Sequence, residues 1–336
     1  MEAVGNGTLS RETYATKNYF ESLEKNGKEV EIAEKHKIFV GGLPRSGTTL
    51  VQNLLNAHPQ VYGGSEFDRI PNIIDLRNKL QQSLKSGRIT EYTDAQQIDE
   101  TIRAVVDVLL EPNHLEPSIT HISEKTPWNV LFFDELLTLY PKAKFILVMR
   151  NPLSVFNSMK KVAQRAHAKQ VIPPDFTTNY RLAVAYMEAV YRLMQRLLKN
   201  HPQQVIMVRY EDLLDNLEKT SRTLFQFLEI PWNEQLLSFH EVNHPGERTM
   251  TQMGIWYTTD QFRANPAQVK EHTKKNQLKL YERYFITYFF RKNEFVNPNY
   301  RFMKEPNTFG KICGKWMLMG YRKKYRFHQL PKRTMG

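Results

Sequence analysis

Six residues between positions 42 and 49, namely Gly42, Arg45, Ser46, Gly47, Thr48 and Thr49, put backbone freedom, a cation and three hydroxyls into one short stretch. Glycines let the backbone approach an anion closely, and a helix opening after them turns free N–H groups and the positive end of its dipole toward the same place. Arg45 adds a charged fork, and Ser46, Thr48 and Thr49 add donors. This chemistry favours phosphate or a group shaped like it. The spacing Gly42-x-x-x-x-Gly47 is that of a P-loop, but Thr48 stands where an NTPase motif requires lysine, so the usual grip on a terminal phosphate is missing. Two glycines alone would read as an ordinary strand-to-helix turn. The full string Gly42-Leu-Pro-Arg-Ser-Gly-Thr-Thr-Leu50 is far more specific.

A strand must precede such a loop and a helix must follow it. Ile38, Phe39 and Val40 form a short apolar run closed by Gly41-Gly42, and from Ser46 the period changes, with Leu50, Val51, Leu54 and Leu55 on one helical face until His58-Pro59. Further helical stripes run from Ile73 to Leu84 and from Ala95 to Leu110. Residues 119–123 alternate like a strand, Glu124 to Trp128 read as a turn with Thr126 as N-cap and Pro127 at the first helical position, and a helix continues to Leu139. The wholly apolar Phe145 to Met149 reads as a strand buried on both faces, with a helix after Arg150. A helix over about 178–200 leads to a strand at Val205 to Val208, then a helix over 213–228. Strands alternating with helices predict a doubly wound parallel α/β sheet, with ligands beyond the carboxyl ends of its strands. Arg45, Lys125, Arg150 and Tyr210 all come just after predicted strands, as a shared cleft requires. Residues 242–265, rich in Gly, Pro, Thr and Asn, predict a loop long enough to act as a functional lid.

With 336 residues and 41% hydrophobic content the chain can bury a substantial core, and one large domain over 37–300 is expected between a helical arm at 1–36 and a tail at 301–336. The net charge of +12 is concentrated in that tail, where ten Lys or Arg face one acid, Glu305; the body is nearly balanced. A nucleic-acid-binding body is therefore disfavoured. No apolar run is long enough to span a membrane and the N-terminus lacks the pattern of a signal peptide. With the lone Cys313, which fits a reducing compartment, this predicts a cytoplasmic chain. The ten histidines are scattered and form no metal-ligand pattern with Cys or Asp, so no metal is implied.

The loop string resembles the 5'-phosphosulfate loop of sulfotransferases that use 3'-phosphoadenosine 5'-phosphosulfate (PAPS). The following His58-Pro-Gln-Val-Tyr-Gly-Gly-Ser-Glu66-Phe-Asp-Arg-Ile-Pro71 resembles the tyrosylprotein sulfotransferase group, and the likeness extends over roughly residues 37 to 280. The resemblance implies a P-loop-like sulfotransferase fold, PAPS as donor, and a peptide or protein tyrosine as acceptor. It makes Glu66 the base that takes the acceptor's proton. Arg45 and Lys125 become the charges that stabilise the transition state, with Ser46, Gly47, Thr48 and Thr49 around the phosphosulfate. Arg150 and Ser158 reproduce the Arg-(x)7-Ser pattern that binds the 3'-phosphate; Tyr210 matches a residue near the adenine. Thr258 matches a serine at the cofactor, and Lys274 a lysine some sixteen residues later after a one-residue shift. Asp68 departs from the family, which tends to carry a basic residue there. Animal tyrosylprotein sulfotransferases are Golgi-luminal, membrane-anchored and disulfide-bonded, a pattern from which this chain is expected to depart.

Sulfuryl transfer moves a charged group in line between two oxygens, so cations are needed at the bridging and leaving oxygens and a base at the acceptor. The same chemistry on a small phenol, a carbohydrate or a lipid hydroxyl stays open, because loops build the acceptor wall. An ATP-dependent kinase is disfavoured by the absent P-loop lysine, and a silent nucleotide-binding scaffold by the presence of Glu66 and Lys125. The tail mixes Trp316, Tyr321, Tyr325 and Phe327 with many Lys and Arg; residues 311–336 could rest on an anionic membrane surface, although a solvated arm is the plainer reading. The oligomeric state is open, a homodimer included.

Overall fold

The computed structural model describes residues 35–112, 114–241, 254–258 and 277–292, with a few positions between 308 and 316. The arm before Lys35, nearly all of the tail and most of 242–265 lie outside the described residues.

Strand β1 (His36–Gly42) is the middle strand of the sheet. It is followed by α1 (Thr48–Asn56), β2 (Val61–Gly63), α2 (Ile70–Lys85) and α3 (Ala95–Leu110). Then come β3 (His121–Lys125), a 3-10 turn at Pro127–Phe132, α4 (Phe133–Leu139), β4 (Lys144–Met149) and α5 (Pro152–Ala168). A single turn α6 (Asp175–Thr178) leads into α7 (Tyr180–Asn200), β5 (Val205–Arg209), α8 (Tyr210–Asp215) and α9 (Leu217–Leu228). A second 3-10 stretch covers Glu234–Glu241, and α10 (Leu280–Lys292) is the last helix described in full.

The five strands lie in the order β2-β3-β1-β4-β5 and every pairing is parallel. Alternate residues of each strand feed opposite cores, as the period of two requires. Phe39, Phe145, Leu147, Met149 and Val205 join one apolar cluster with α2, α3, α4, α5, α7 and α10. Ile38, Val40, Ile146, Val148 and Val208 join the other with α1, α8 and α9. Helices thus cover both faces, which is the doubly wound arrangement expected from the alternation of elements. After β1 the chain turns toward β2, and after β4 it turns toward β5 on the opposite side. Their carboxyl ends therefore part around a crevice, the place where open α/β sheets bind ligands.

Two local differences from the sequence reading matter. Strand β3 runs through Lys125 instead of ending at Ser123, because Phe39 and Val40 of β1 pair with Glu124 and Lys125. Thr126 does not cap the following turn; its hydroxyl donates to Glu124 at 2.6 Å. Among the described residues no helix is long and apolar enough to cross a membrane.

Candidate active site

The loop between β1 and α1 is built on two left-handed residues, Arg45 (φ 75°) and Gly47 (φ 104°). For Gly47 the conformation is compounded by crowding: a Cβ there would come within 2.3 Å of the Tyr210 ring. Gly47 is the N-cap of α1 and provides no side chain to cover the first turn, where the Leu50 N–H donates to the Gly47 carbonyl at 3.0 Å and the N–H groups before it are left to another acceptor. Among the described residues the buried Ser46 hydroxyl has no hydrogen-bond partner, and neither has the buried Nε of Arg150. A crevice that leaves buried donors unsatisfied and crowds cations together fits a polyanionic ligand such as a nucleotide carrying phosphate and phosphosulfate groups.

Around this loop the predicted residues fall into two groups. On the β4–β5 side, Arg45 donates from Nε to Ser158 Oγ (3.0 Å) and from Nη1 to the Trp256 carbonyl (2.6 Å). Arg150 donates to the Arg45 carbonyl at 3.2 Å and lies over Tyr210, 4.0 Å from the ring centroid. Tyr191 fixes the backbone there by donating to the Arg150 carbonyl at 2.9 Å. Burial, followed by repulsion from Arg165 and Arg150, lowers the Arg45 pKa to about 10. The structure thus brings Arg45, Arg150, Ser158 and Tyr210 to one place.

On the β3 side, Lys125 Nζ lies 2.5 Å from Glu66 Oε1, 3.4 Å from Thr49 Oγ1 and 3.3 Å from the hydroxyl of Tyr257. Tyr257 in turn donates to Glu66 Oε1. Glu66 therefore stands at the mouth of the loop, beside a cation and a phenol. The chain after it is held by the Phe67 N–H donating to Glu124 at 3.2 Å. Burial and then the Glu66 charge raise the Tyr257 pKa well above its ordinary value, so this side chain is a neutral phenol at neutral pH.

Thr48 is buried in the first turn of α1, and Thr258 follows Tyr257 in a partly buried position. Lys274 lies outside the described residues. Sequence reasoning missed Tyr257, Arg165 and Glu124. Arg165 was detectable in principle: it lies seven residues beyond Ser158, two helical turns along the same face. From there it donates to the carbonyls of Ile255 (2.7 Å) and Trp256 (3.4 Å). Tyr257 gave no local signal beyond its place beside Trp256 in a polar loop. Among the described residues no group of three or more His, Cys, Asp or Glu is placed to hold a metal ion.

The sequence model of the Sulfotransferase family matches residues 37–234. Protein-tyrosine sulfotransferase 1 of Danio rerio is 32% identical over 209 residues, covering 61% of this chain and 56% of that protein. Protein-tyrosine sulfotransferase of Drosophila melanogaster is 29% identical over 211 residues, covering 62% of this chain and 41% of that protein. The chain spans about half the length of these curated relatives. Among solved structures, the sulfotransferase domain from the curacin biosynthetic pathway aligns with a TM-score of 0.45 at 15% identity, over 85% of this chain and 98% of that one.

Proposed function

The chain belongs to the sulfotransferase family, and on that premise we propose that it transfers the sulfuryl group of PAPS to a hydroxyl, with a peptide or protein tyrosine as acceptor. The observation that carries this reading is the Glu66–Lys125 pair, 2.5 Å apart beside Thr49 at the end of the anion-binding loop. The names of the two relatives support tyrosine as the acceptor.

In this reading Gly47, Thr48 and the first turn of α1 receive the phosphosulfate end, and Ser46 supplies a hydroxyl that has no partner among the described residues. Arg150 and Ser158 hold the 3'-phosphate, with Tyr210 beside the adenine. Arg45 and Lys125 neutralise charge on the transferring group and on the oxygen it leaves. Glu66 takes the acceptor's proton as its oxygen bonds to sulfur. That proton also cancels the charge with which Glu66 holds Lys125. The lysine is thereby released toward the leaving oxygen as negative charge grows there, so one proton transfer serves both partners. Thr258 and Lys274 complete the nucleotide's surroundings by resemblance.

The test is transfer of labelled sulfate from PAPS to an acidic tyrosine-containing peptide, with a small phenol and a sugar as competing acceptors and no added magnesium. The peptide is expected to be labelled. Glu66→Ala is expected to lower turnover about 10²- to 10⁴-fold while product-nucleotide affinity stays nearly unchanged. Normal turnover by that variant would remove Glu66 from the role of base. Labelling of the phenol or sugar alone would remove tyrosine as the acceptor.

A further inference from the structure

Tyr257 occupies a position that the proposed chemistry reserves for something else. An acceptor hydroxyl must touch the base and lie near the cation that stabilises the transfer. The Tyr257 hydroxyl does both, donating to Glu66 Oε1 and lying 3.3 Å from Lys125 Nζ. The lysine also sits 5.2 Å from the ring centroid, so cation and phenol are in contact along the ring as well as at its hydroxyl.

The backbone that delivers this ring is anchored at the three residues before it. Arg165 donates to the carbonyls of Ile255 and Trp256, Lys169 donates to that of Gly254 at 3.0 Å, and Arg45 donates to that of Trp256. Trp256 stacks on Phe176, with centroids 6.1 Å apart and an interplanar angle of 20°. Three cations and an aromatic stack therefore fix the residues immediately before Tyr257, and the phenol reaches Glu66 from a held backbone. A neutral phenol is a poor nucleophile until a base removes its proton, and the base is the group it already touches.

We propose that Tyr257 is an acceptor belonging to the chain itself, sulfated in place by the same site. The proposal rests on the sulfotransferase reading above. The phenol oxygen of Tyr257 forms a bond to sulfur, and the bond between sulfur and the 5'-phosphate oxygen of PAPS breaks. The electron pair leaves with that phosphate, and the phenolic proton passes to Glu66. The products are a tyrosine O-sulfate at position 257 and 3'-phosphoadenosine 5'-phosphate.

The whole chain is incubated with labelled PAPS, once alone and once with the acidic tyrosine peptide, and its own peptides are then mapped by mass spectrometry. One SO3 group is expected on the peptide containing Tyr257, at a rate independent of protein concentration, as an intramolecular step requires. Tyr257→Phe and Glu66→Ala are each expected to reduce that label about 10²-fold or more. A labelled external peptide with an unmarked Tyr257 would overturn the proposal and leave the sulfotransferase reading standing; absence of label from both would end the two together. Label whose rate rises with protein concentration would also overturn it, by placing the reaction between molecules. A second measurement needs no donor. A tyrosine-nitrating reagent is expected to modify Tyr257 several-fold faster in Glu66→Ala than in the native chain, and equal rates would unseat the phenol from the carboxylate.

Discussion

Glu124 and Lys125 are neighbours at the end of β3, and both are buried in a strand whose sequence, His-Ile-Ser-Glu-Lys, does not look like a core strand. Lys125 faces the crevice. Glu124 accepts from the Phe67 N–H, the Thr126 hydroxyl and the Asn129 amide. Burial, opposed by the Thr126 bond and helped by the charge of Glu66, raises its pKa from 4.5 to about 8. The folded state therefore binds this proton more tightly than the unfolded chain. Its contribution to stability is full below about pH 4.5 and is lost as pH rises to about 8. Glu124→Gln is expected to remove that dependence, so that Tm falls less between pH 5 and pH 8 than in the native chain. Calorimetry across that range checks it, and an unchanged slope would assign the titration elsewhere. Glu124 read as a turn residue in the sequence because polarity marks turns; here the burial follows from pairing with β1 and from the site, neither of which leaves a periodic pattern.

At the level of elements, the short strand β2 was the least legible. Three residues, Val61-Tyr-Gly63, are too few to show a period, and the strand exists because its neighbours hold it. Gln52 of α1 donates to Ser123 Oγ at 2.6 Å and to Asn56 Oδ1 at 3.0 Å, and Asn56 donates to the Gly63 carbonyl at 3.0 Å. These amides tie α1 to β2 and β3 three residues before Glu66. They also fill the space beside Gly63, where a Cβ would meet Gln52 Nε2 at 1.7 Å and Ser123 Oγ at 2.5 Å. Gly63→Ala is expected to cost about 1–3 kcal/mol through overpacking. It should also displace Glu66, lowering kcat more than it weakens product-nucleotide binding. Paired denaturation and kinetic measurements check this, and an equal loss in both constants would place the damage in the phosphate loop. The flanking α1 and α3 were legible, by contrast, because each carries a clean apolar stripe, and α3 adds the Asp94 side chain that caps it at 2.9 Å.

For the whole molecule, alternation of strands and helices was enough to specify a doubly wound sheet, and the strand ends were enough to gather the cations. Helix α10 was not foreseen, since Tyr281-Glu-Arg-Tyr-Phe-Ile-Thr-Tyr-Phe-Phe290 is aromatic on nearly every side and shows no stripe. Its Phe285, Ile286, Phe289 and Phe290 enter the same core as α5 and α7. Glu282, buried at its foot, accepts from Lys160 Nζ of α5 at 2.9 Å and from the Lys279 N–H at 2.7 Å. Lys160→Met is expected to destabilise the fold by about 3 kcal/mol, because it strands a buried carboxylate without its cation. Urea unfolding checks this, and a loss below about 1 kcal/mol would reduce the pair to the weight of a surface contact.

The central place of β1 has a consequence for synthesis. His36 pairs with His121, so the innermost strand must wait for a partner made roughly 85 residues later, and for β4 longer still. At about 5–20 residues per second, Ile38, Phe39 and Val40 emerge about 4–17 s before the first strand that can cover their edges. Closing so distant a contact is also slow in the finished chain. The segment that organises the crevice is thus the one left longest without its sheet, and the nascent chain is most open to misassociation and to chaperones during that interval.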